Sequence, residues 1–341
     1  MNVLVSIIIP IYNMGDQLKK SIKSILNQDY SNYEVLLIDD GSQDNSLDIC
    51  REIANNDSRV KYYHTVNQGS GPARNFGIVK ASGKYLYFPD ADDWMEPTTI
   101  SRCVSVMENE NSDLLVFGFR VFNQDGNLVK EKIYNNKQYS ASDLKSNYAD
   151  CMDMTGKLAI QGAPWNKFFK QSIIKEFGIE YPSLRRHQDE GFISRYMCHV
   201  NSVSFISDVF YTYYENTQRL EWKKYPIDYI DAVIGLYNVR KNTILTWNPN
   251  DLKTHNFVYR SYLCGVVKAL ELSFSPKFNF QTIQHHLMWM RDVLDKSNFF
   301  GVPKVKLGMY QKIVYSLIAN RMLKLAYLAI YFKVKLYALF R

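Results

Sequence analysis

Cysteine is scarce and scattered in this chain. Its five residues, Cys50, Cys103, Cys151, Cys198 and Cys264, stand far apart without any C-x-x-C spacing, so neither a disulfide framework nor a zinc site is indicated. A reducing, cytoplasmic setting is the expectation. No run reaches the roughly 18 uncharged apolar residues that a membrane-spanning helix needs. Met1 to Ser6 hold no basic segment and lead straight into an apolar run, so no signal peptide is expected. Two phosphate-binding signatures are also missing. No Walker lysine loop occurs, and no G-x-G-x-x-G follows the first apolar run, which argues against P-loop enzymes and dinucleotide-dependent dehydrogenases. Acidic residues are absent from the end of the chain: residues 303–341 contain eight Lys or Arg and no Asp or Glu, so the net charge of +7 resides there and the remainder is close to neutral. At 341 residues the chain is long enough for one large domain or two to three small ones.

What is present, over the first hundred residues, is an alternation of strand-like and helix-like segments. Val3 to Ile9 is a nearly continuous β-branched run closed by Pro10, the pattern of a strand buried on both faces. A helix follows with Leu18, Ile22, Ile25 and Leu26 on one side. Tyr33 to Ile38 is a second strand ending in Asp39-Asp40-Gly41-Ser42, and its helix carries Leu47, Cys50, Ile53 and Ala54. Val60 to His64 is a short third strand, followed by Asn67-Gln-Gly-Ser-Gly-Pro-Ala-Arg-Asn75, with Pro72 expected at the first position of another helix. Tyr85 to Phe88 is the fourth strand and stops in Asp90-Ala91-Asp92-Asp93.

This order predicts an α/β fold with a doubly wound, mostly parallel sheet. Ligands of such sheets lie beyond the carboxyl ends of the strands. Each of the four ends carries polar chemistry: Tyr12-Asn13, Asp39-Asp40, Asn67 to Arg74, and Asp90 to Asp93. Three acids within four residues repel one another unless a cation or ligand offsets them. Oxygen ligands without His or Cys suit Mg²⁺ or Mn²⁺, usually completed by substrate phosphates. A solvated acidic turn is the plain alternative for Asp90 to Asp93 alone, but four loops converging on one edge favour a nucleotide with its metal.

Further along, Leu114 to Asn123 and Leu128 to Tyr134 flank Gln124-Asp-Gly126 as a hairpin. Trp165, within Ala163 to Lys170, is either a platform for an acceptor sugar or a half-buried core residue. Asp189-Glu190 open a helix, as dipole partners or as catalytic acids. Arg185, Arg186 and His187 beside them form a basic cluster that binds a phosphate or pairs with these acids, with His187 also weighed as a metal ligand. From about Asp228 the pattern is helical, and adjacent His285-His286 point to different sides. The basic tail suits an anionic membrane surface, with Leu325, Tyr327, Leu328, Ile330 and Phe332 available for interfacial burial. A helix packed on the protein, or an oligomer contact, is the alternative. Nucleic acid is not expected.

Val5 to Asn13, Leu36 to Asp44, Asn67 to Asn75 and Asp90 to Asp93 together resemble the inverting family 2 glycosyltransferases of the GT-A fold. The resemblance covers about the first 120 residues and implies a nucleotide-sugar donor, foremost a UDP-sugar, with Mn²⁺ or Mg²⁺. It implies that Pro10 and Tyr12 lie near the base, that Asp39 and Asp40 accept from the uracil or ribose, and that Asn67, Gly69 and Arg74 line the nucleotide. Asp90-Ala91-Asp92 would be the Asp-x-Asp segment, with Asp92 foremost and Asp90 second as metal ligands. The family's Glu-Asp-x-x-Phe segment corresponds to Gln188-Asp189-Glu190-Gly191-Phe192, a departure at Gln188. Asp189 becomes the implied general base, with Glu190 as its rival. The implied organisation is a nucleotide-sugar half (1–110), an acceptor and catalytic half (111–222) and a helical C-terminal region (223–341). The implied role is assembly of a cell-surface polysaccharide or related glycan on a glycan or lipid-linked acceptor, by a cytoplasmic enzyme held peripherally at the inner membrane surface. A nucleotidyltransferase on a similar sheet and a non-catalytic nucleotide-sugar or glycan-binding subunit are the competing expectations.

Overall fold

The computed structural model describes residues 3–15, 17–152, 158, 160, 162–214, 225–303 and 305–339. The chain divides into two compact units, Met1–Ser183 with Gln188–Thr217, and Leu184–His187 with Gln218–Arg341.

The first unit is built on one sheet. Strands β1 (Val5–Ile11), β2 (Tyr33–Asp39), β3 (Val60–His64) and β4 (Tyr85–Tyr87) alternate with helices α1 (Gln17–Leu26), α2 (Ser46–Asn56) and α3 (Ser70–Lys80). All pairings among these four strands are parallel. After the two-residue β5 (Trp94–Met95) and α4 (Thr99–Asn109), β6 (Leu114–Phe122) and β7 (Leu128–Lys132) form the expected hairpin. Then come β8 (Lys137–Ser140), α5 (Ala141–Met152), β9 (Lys167–Lys170), α6 (Gln171–Glu176), α7 (Gln188–Met197) and β10 (Ser202–Tyr214). The strand order is β3-β2-β1-β4-β9-β6-β10-β5, with β7 added on β6 and β8 on β10. Antiparallel pairing enters at β9, so the parallel order holds for the first four strands and the sheet as a whole is mixed.

The apolar run of β1 reflects burial on both faces. Val5, Ile7 and Ile9 pack in one cluster with Leu18, Ile22 and Ile25 of α1, while Ile8 faces α3. Alternate residues of a strand point to opposite faces, so both sets are mainly apolar, and the polar exception, Ser6, is fully buried and donates to Glu34 Oε1 at 2.7 Å. Pro10 lies inside β1 and pairs with Ile38, but β4 accompanies β1 only as far as Ile7. Its missing N–H therefore leaves no gap on that side. The opposite face holds an aromatic cluster in which Phe192 of α7 stacks on Tyr181 at 4.1 Å and meets Phe88 edge-on at 5.8 Å. That buried ring seats the first turn of α7.

In the second unit the helices Tyr229–Asn242, Leu252–Glu271, Ile283–Lys296, Met309–Ala319 and Leu323–Leu339 share an apolar core. His286 is buried against Ser273 at 3.0 Å while His285 is exposed, as their adjacency implied. The tail helix differs from the sequence reading. Tyr327 and Ile330, counted among groups for interfacial burial, point into the unit's core with Ala326 and Val334, whereas Leu325, Leu328, Phe332 and Leu336 are exposed. Lys333 is not a surface charge of the simple kind either, because its ammonium meets Glu271 Oε1 at 2.6 Å. Phe340 and Arg341 lie outside the described residues.

The approach of α3 to the sheet needs glycine at one point. A Cβ on Gly77 would stand 2.3 Å from Cγ2 of Ile8, a fully buried and β-branched neighbour with little freedom to turn away. Gly77→Val should therefore destabilise the first unit by about 1–3 kcal/mol through overpacking, measured as a lower urea midpoint at unchanged slope; an unchanged midpoint would show that α3 is free to shift.

Candidate active site

Four strand ends converge as the sequence requires, and hydrogen bonds tie their loops together. Asn13, at φ 51°, is held by Ser42 Oγ on its N–H (3.0 Å) and accepts from the Gln43 N–H through Oδ1 (2.8 Å). Asp40, buried after β2, accepts from the backbone N–H groups of Gln68 (2.9 Å) and Gly69 (2.7 Å). Its carboxylate thereby shapes the turn into α3, where Gly69 adopts φ 99° as N-cap. Asp39 is fully buried; its Oδ2 meets His64 Nδ1 at 2.6 Å, while Oδ1 has no hydrogen-bond partner. A buried carboxylate oxygen without a donor is costly. Tyr12 and Asn67 are exposed around this point, and Ala91 turns its methyl into the core.

Arg74 is the centre of the arrangement. From α3 its Nη2 donates to Asp90 Oδ1 at 2.7 Å and its Nη1 to Asp189 Oδ1 at 3.2 Å, linking the end of β4 to the first turn of α7. The guanidinium is buried and also lies 5.5 Å over the Tyr181 ring. Burial alone would lower its pKa, but Asp189 and Asp90 outweigh that and hold it charged. Burial raises the pKa of Asp189, with Asp90 and Glu190 adding to the rise and Arg74 opposing it. The side chains of Asp90 and Asp189 keep 31% and 32% exposure, so both still face solvent.

The departure at Gln188 has a structural use. Its Nε2 donates to Ser70 Oγ at 2.5 Å, joining the starts of α7 and α3. A Cβ on Gly71 would lie 2.3 Å from Gln188 Oε1, so a side chain there would have to push the Gln188 amide aside.

Asp93 is buried beneath the Asp90–Asp92 loop. Its Oδ2 accepts from Tyr211 Oη at 2.6 Å and its Oδ1 from the Tyr214 N–H at 3.2 Å, while Tyr211 Oη accepts from the Asp90 N–H at 3.0 Å. Burial and then the neighbouring Asp90 and Asp92 charges push the Asp93 carboxyl up to about 9. Negative charge is in excess here. Among the described residues no cluster of three or more His, Cys, Asp and Glu side chains forms a metal cage. A Mg²⁺ or Mn²⁺ completed by phosphates and water needs only one or two protein carboxylates.

Other residues singled out in the sequence have the following partners. Trp165 stacks on Tyr211 (4.6 Å) and Tyr213 (6.1 Å) and packs against the core. Arg185, Arg186 and His187 belong to the second unit, where Arg185 meets Asp228 at 3.5 Å, Arg186 lies over Tyr225 and His187 is 5.8 Å from Tyr229, ring to ring. Two residues escaped the sequence reading. His64 was only a strand terminus, and Lys167 sat in a segment noted for its tryptophan. Lys167 is fully buried, donates to Ala163 O (2.8 Å) and Asn166 Oδ1 (2.7 Å), and is pushed by burial down to about 7, against the pull of Asp189.

Comparison with known proteins agrees with this geometry. The solved structures it resembles include Staphylococcus aureus TarS 1-349 in complex with UDP-GlcNAc (TM-score 0.63, 19% identity, 88% of this chain and 81% of that one) and the mannosyltransferase PcManGT of Pyrobaculum calidifontis in complex with GDP-Man and Mn²⁺ (TM-score 0.54, 13% identity, 98% and 87%). The fold class is therefore GT-A. EpsH of Bacillus subtilis is 31% identical over 213 residues, 61% of this chain and 60% of EpsH, so the alignment spans under two thirds of that relative. The Glycosyl transferase family 2 model matches residues 6–177, and the chain belongs to that family.

Lys167 supplies a pH test. A lysine at about 7 in the folded state and 10.5 unfolded favours folding fully above 10.5; this contribution is lost as pH falls towards 7 and is constant below. Each unit is worth about 1.4 kcal/mol. Wild type minus Lys167→Met stability should thus rise between pH 7 and pH 10, followed by chemical denaturation; a flat difference would mean that Lys167 is charged in place.

Proposed function

We propose that the chain transfers a sugar from a nucleoside-diphosphate sugar, foremost a UDP-sugar, to a hydroxyl of a growing glycan with inversion at the anomeric carbon. The observation that carries this reading is the Arg74 bridge, which keeps the implied base Asp189 and the Asp90 end of the Asp-x-Asp segment on one guanidinium. The donor in the TarS and PcManGT complexes is in each case a nucleotide sugar, which supports the same class of ligand here. The unpartnered Oδ1 of Asp39 would accept an N–H of the base, with Tyr12 at the open side and Asn67, Gly69 and Arg74 along the nucleotide.

In the proposed displacement the acceptor oxygen bonds to the anomeric carbon as the bond from that carbon to the diphosphate oxygen breaks. The bonding pair leaves with the diphosphate and the hydroxyl proton passes to Asp189. Oδ1 of Asp189 is held by Arg74, which leaves Oδ2 to take the proton, and burial raises its basicity in the useful direction. Mg²⁺ or Mn²⁺ at Asp92 and Asp90 would supply charge neutralisation for the diphosphate leaving group.

Thermal shift against UDP, GDP and their sugars, with and without Mn²⁺, tests the reading. Stabilisation by a nucleotide sugar that requires the metal and disappears in Asp92→Ala is expected, and full activity of the wild type in excess chelator would overturn the metal assignment. Asp189→Asn should leave donor affinity within a few-fold and lower kcat by about 10²-fold or more. If Glu190→Gln is the crippling change instead, the base is misassigned by one residue.

Attachment to an anionic membrane surface is the second element of the proposal, and the tail helix supports it. Leu325, Leu328, Phe332 and Leu336 are exposed at helical spacing, as are the basic residues Lys324 and Lys335. Deleting residues 313–341 would also remove Val314, Ile318, Ala326 and Ile330 from the core, so surface substitutions are the cleaner test. Each basic residue near an anionic bilayer is worth about 1 kcal/mol. Lys324→Glu with Lys335→Glu should weaken co-sedimentation with phosphatidylserine vesicles by about tenfold or more at low salt, and equal binding would assign the tail to structure alone.

A further inference from the structure

Strand β3 forms one edge of the sheet, and its last residue, His64, lies opposite Asp39, the last residue of β2. The two side chains differ in setting: Asp39 is fully buried, whereas the imidazole is 51% exposed. His64 Nδ1 stands 2.6 Å from Asp39 Oδ2, the oxygen that the Ser42 N–H also reaches at 3.4 Å, while Oδ1 has no hydrogen-bond partner among the described residues. A carboxylate can only accept, so Nδ1 carries the hydrogen of this bond whether the ring is neutral or charged. We infer that His64 is a positioning residue that sets base selectivity at the nucleotide site. By occupying Oδ2 it keeps Asp39 an acceptor at Oδ1, which favours a base whose pairing edge presents a ring N–H (uracil or guanine) over one that presents a bare ring nitrogen (cytosine or adenine). The inference rests on the nucleotide-sugar reading above and adds to it the side chain that decides which base is taken.

The pair is not needed to hold the strands together. β3 is already paired with β2 from Val35 to Asp39, and the Thr65 N–H bonds to the Asp39 carbonyl at 2.8 Å. Packing does not explain it either, since half of the imidazole faces solvent. What His64 supplies is an ion-pairing side chain for a buried acid, and among the described residues no Lys or Arg takes that place.

The consequence for a bound base follows from counting donors and acceptors. A carboxylate oxygen set against cytosine N3 or adenine N1 opposes two lone pairs and leaves both groups unsatisfied, which weakens binding by about tenfold or more. Removing the imidazole changes the chemistry of its neighbour. A buried carboxylate stripped of its partner takes up a proton rather than stay charged, and a carboxyl group donates as well as accepts. Asp39 in that form can turn an O–H towards a bare ring nitrogen. Loss of His64 should thus relax selectivity, where damage to the fold would weaken all bases alike.

The experiment is calorimetric titration of the full chain with UDP, CDP, GDP and ADP in Mn²⁺, for wild type, His64→Leu and His64→Asn. Wild type should bind UDP over CDP, or GDP over ADP, by about tenfold or more. His64→Leu should compress that ratio to within about threefold, and His64→Asn, whose amide nitrogen can stand in for Nδ1, should keep most of it. His64→Phe, which keeps the ring and loses its nitrogens, replaces the leucine variant if that one does not fold. An unchanged ratio in the leucine or phenylalanine variant would overturn the assignment while leaving the transferase reading intact, as would an equal loss of affinity for all four nucleotides. A wild type that prefers CDP or ADP would overturn it also. Selective binding that relaxes in His64→Leu, in a wild type that turns over no nucleotide sugar, would leave the role of His64 standing and remove the transferase reading; absence of binding by every nucleotide would remove both.

Discussion

The arrangement depends on one buried guanidinium. Arg74 must leave water to sit between α3, β4 and α7, and a buried charge is tolerated only when paired and hydrogen-bonded. Asp90 and Asp189 supply that pairing from two directions. The dependence is mutual, because removing one partner of such a group typically costs about 3–5 kcal/mol. The close seating of the two helices follows from the same constraint. Gly77 lets α3 lie against Ile8, Gly71 leaves room for Gln188, and Gln188 bonds to Ser70. Each of these features shortens the distance Arg74 has to bridge. Asp189 is consequently held by its neighbours at the start of a helix whose Phe192, one turn on, is buried in the aromatic cluster.

The acidic loop obeys the opposite logic. Asp90, Asp92 and Asp93 cannot all be relieved by one arginine, so the chain treats them differently. Asp90 goes to Arg74, Asp93 is buried under Tyr211 with its pKa raised, and Asp92 remains at the wall of a cavity. Tyr211 joins the two buried arrangements, since its hydroxyl donates a hydrogen bond to Asp93 and accepts one from the Asp90 N–H. A cation delivered with a phosphate ligand would meet a loop whose backbone is already fixed, and preorganised charge of this kind is where electrostatic stabilisation is largest.

Much of this was legible in the sequence because the signals were local. A strand buried on both faces has to be largely apolar, and β1 and β2 are, apart from Ser6, Glu34 and Asp39, of which Ser6 and Glu34 bond to each other; a polar loop at each strand end then follows from the parallel order. The strand β9 was not legible. Its four residues, Lys167-Phe-Phe-Lys170, begin and end in lysine, which ordinarily marks an exposed edge, yet the strand lies between β4 and β6. It is admissible there because Lys167 is shifted towards its neutral form and makes two hydrogen bonds, as many as a neutral amine has N–H groups to give, and Lys170 meets Asp113 at 3.0 Å. Neither compensation leaves a periodic trace. His64 was hidden in the same way, because its pairing with Asp39 spans 25 residues and two strands.

The tail shows how a composition signal and a packing signal mix. Counting charges over residues 303–341 treats every lysine alike, but the fold does not. Lys333 is drawn to Glu271 and the Tyr310 ring, while Lys335 lies over the Tyr331 ring of its own helix. A helix that is apolar nearly all round has a hydrophobic pattern too weak to say which side is covered. Packing decides it: Ala326, Tyr327, Ile330 and Val334 take the inner side, which leaves Leu325, Leu328, Phe332 and Leu336 as a second apolar stripe facing solvent. A helix whose inner side alone secured the unit would be expected to carry polar residues on the outer one. The stripe that remains is thus a feature that stability of the helical unit does not account for, and it is on this stripe, with the exposed Lys324 and Lys335, that the proposed attachment to an anionic surface rests.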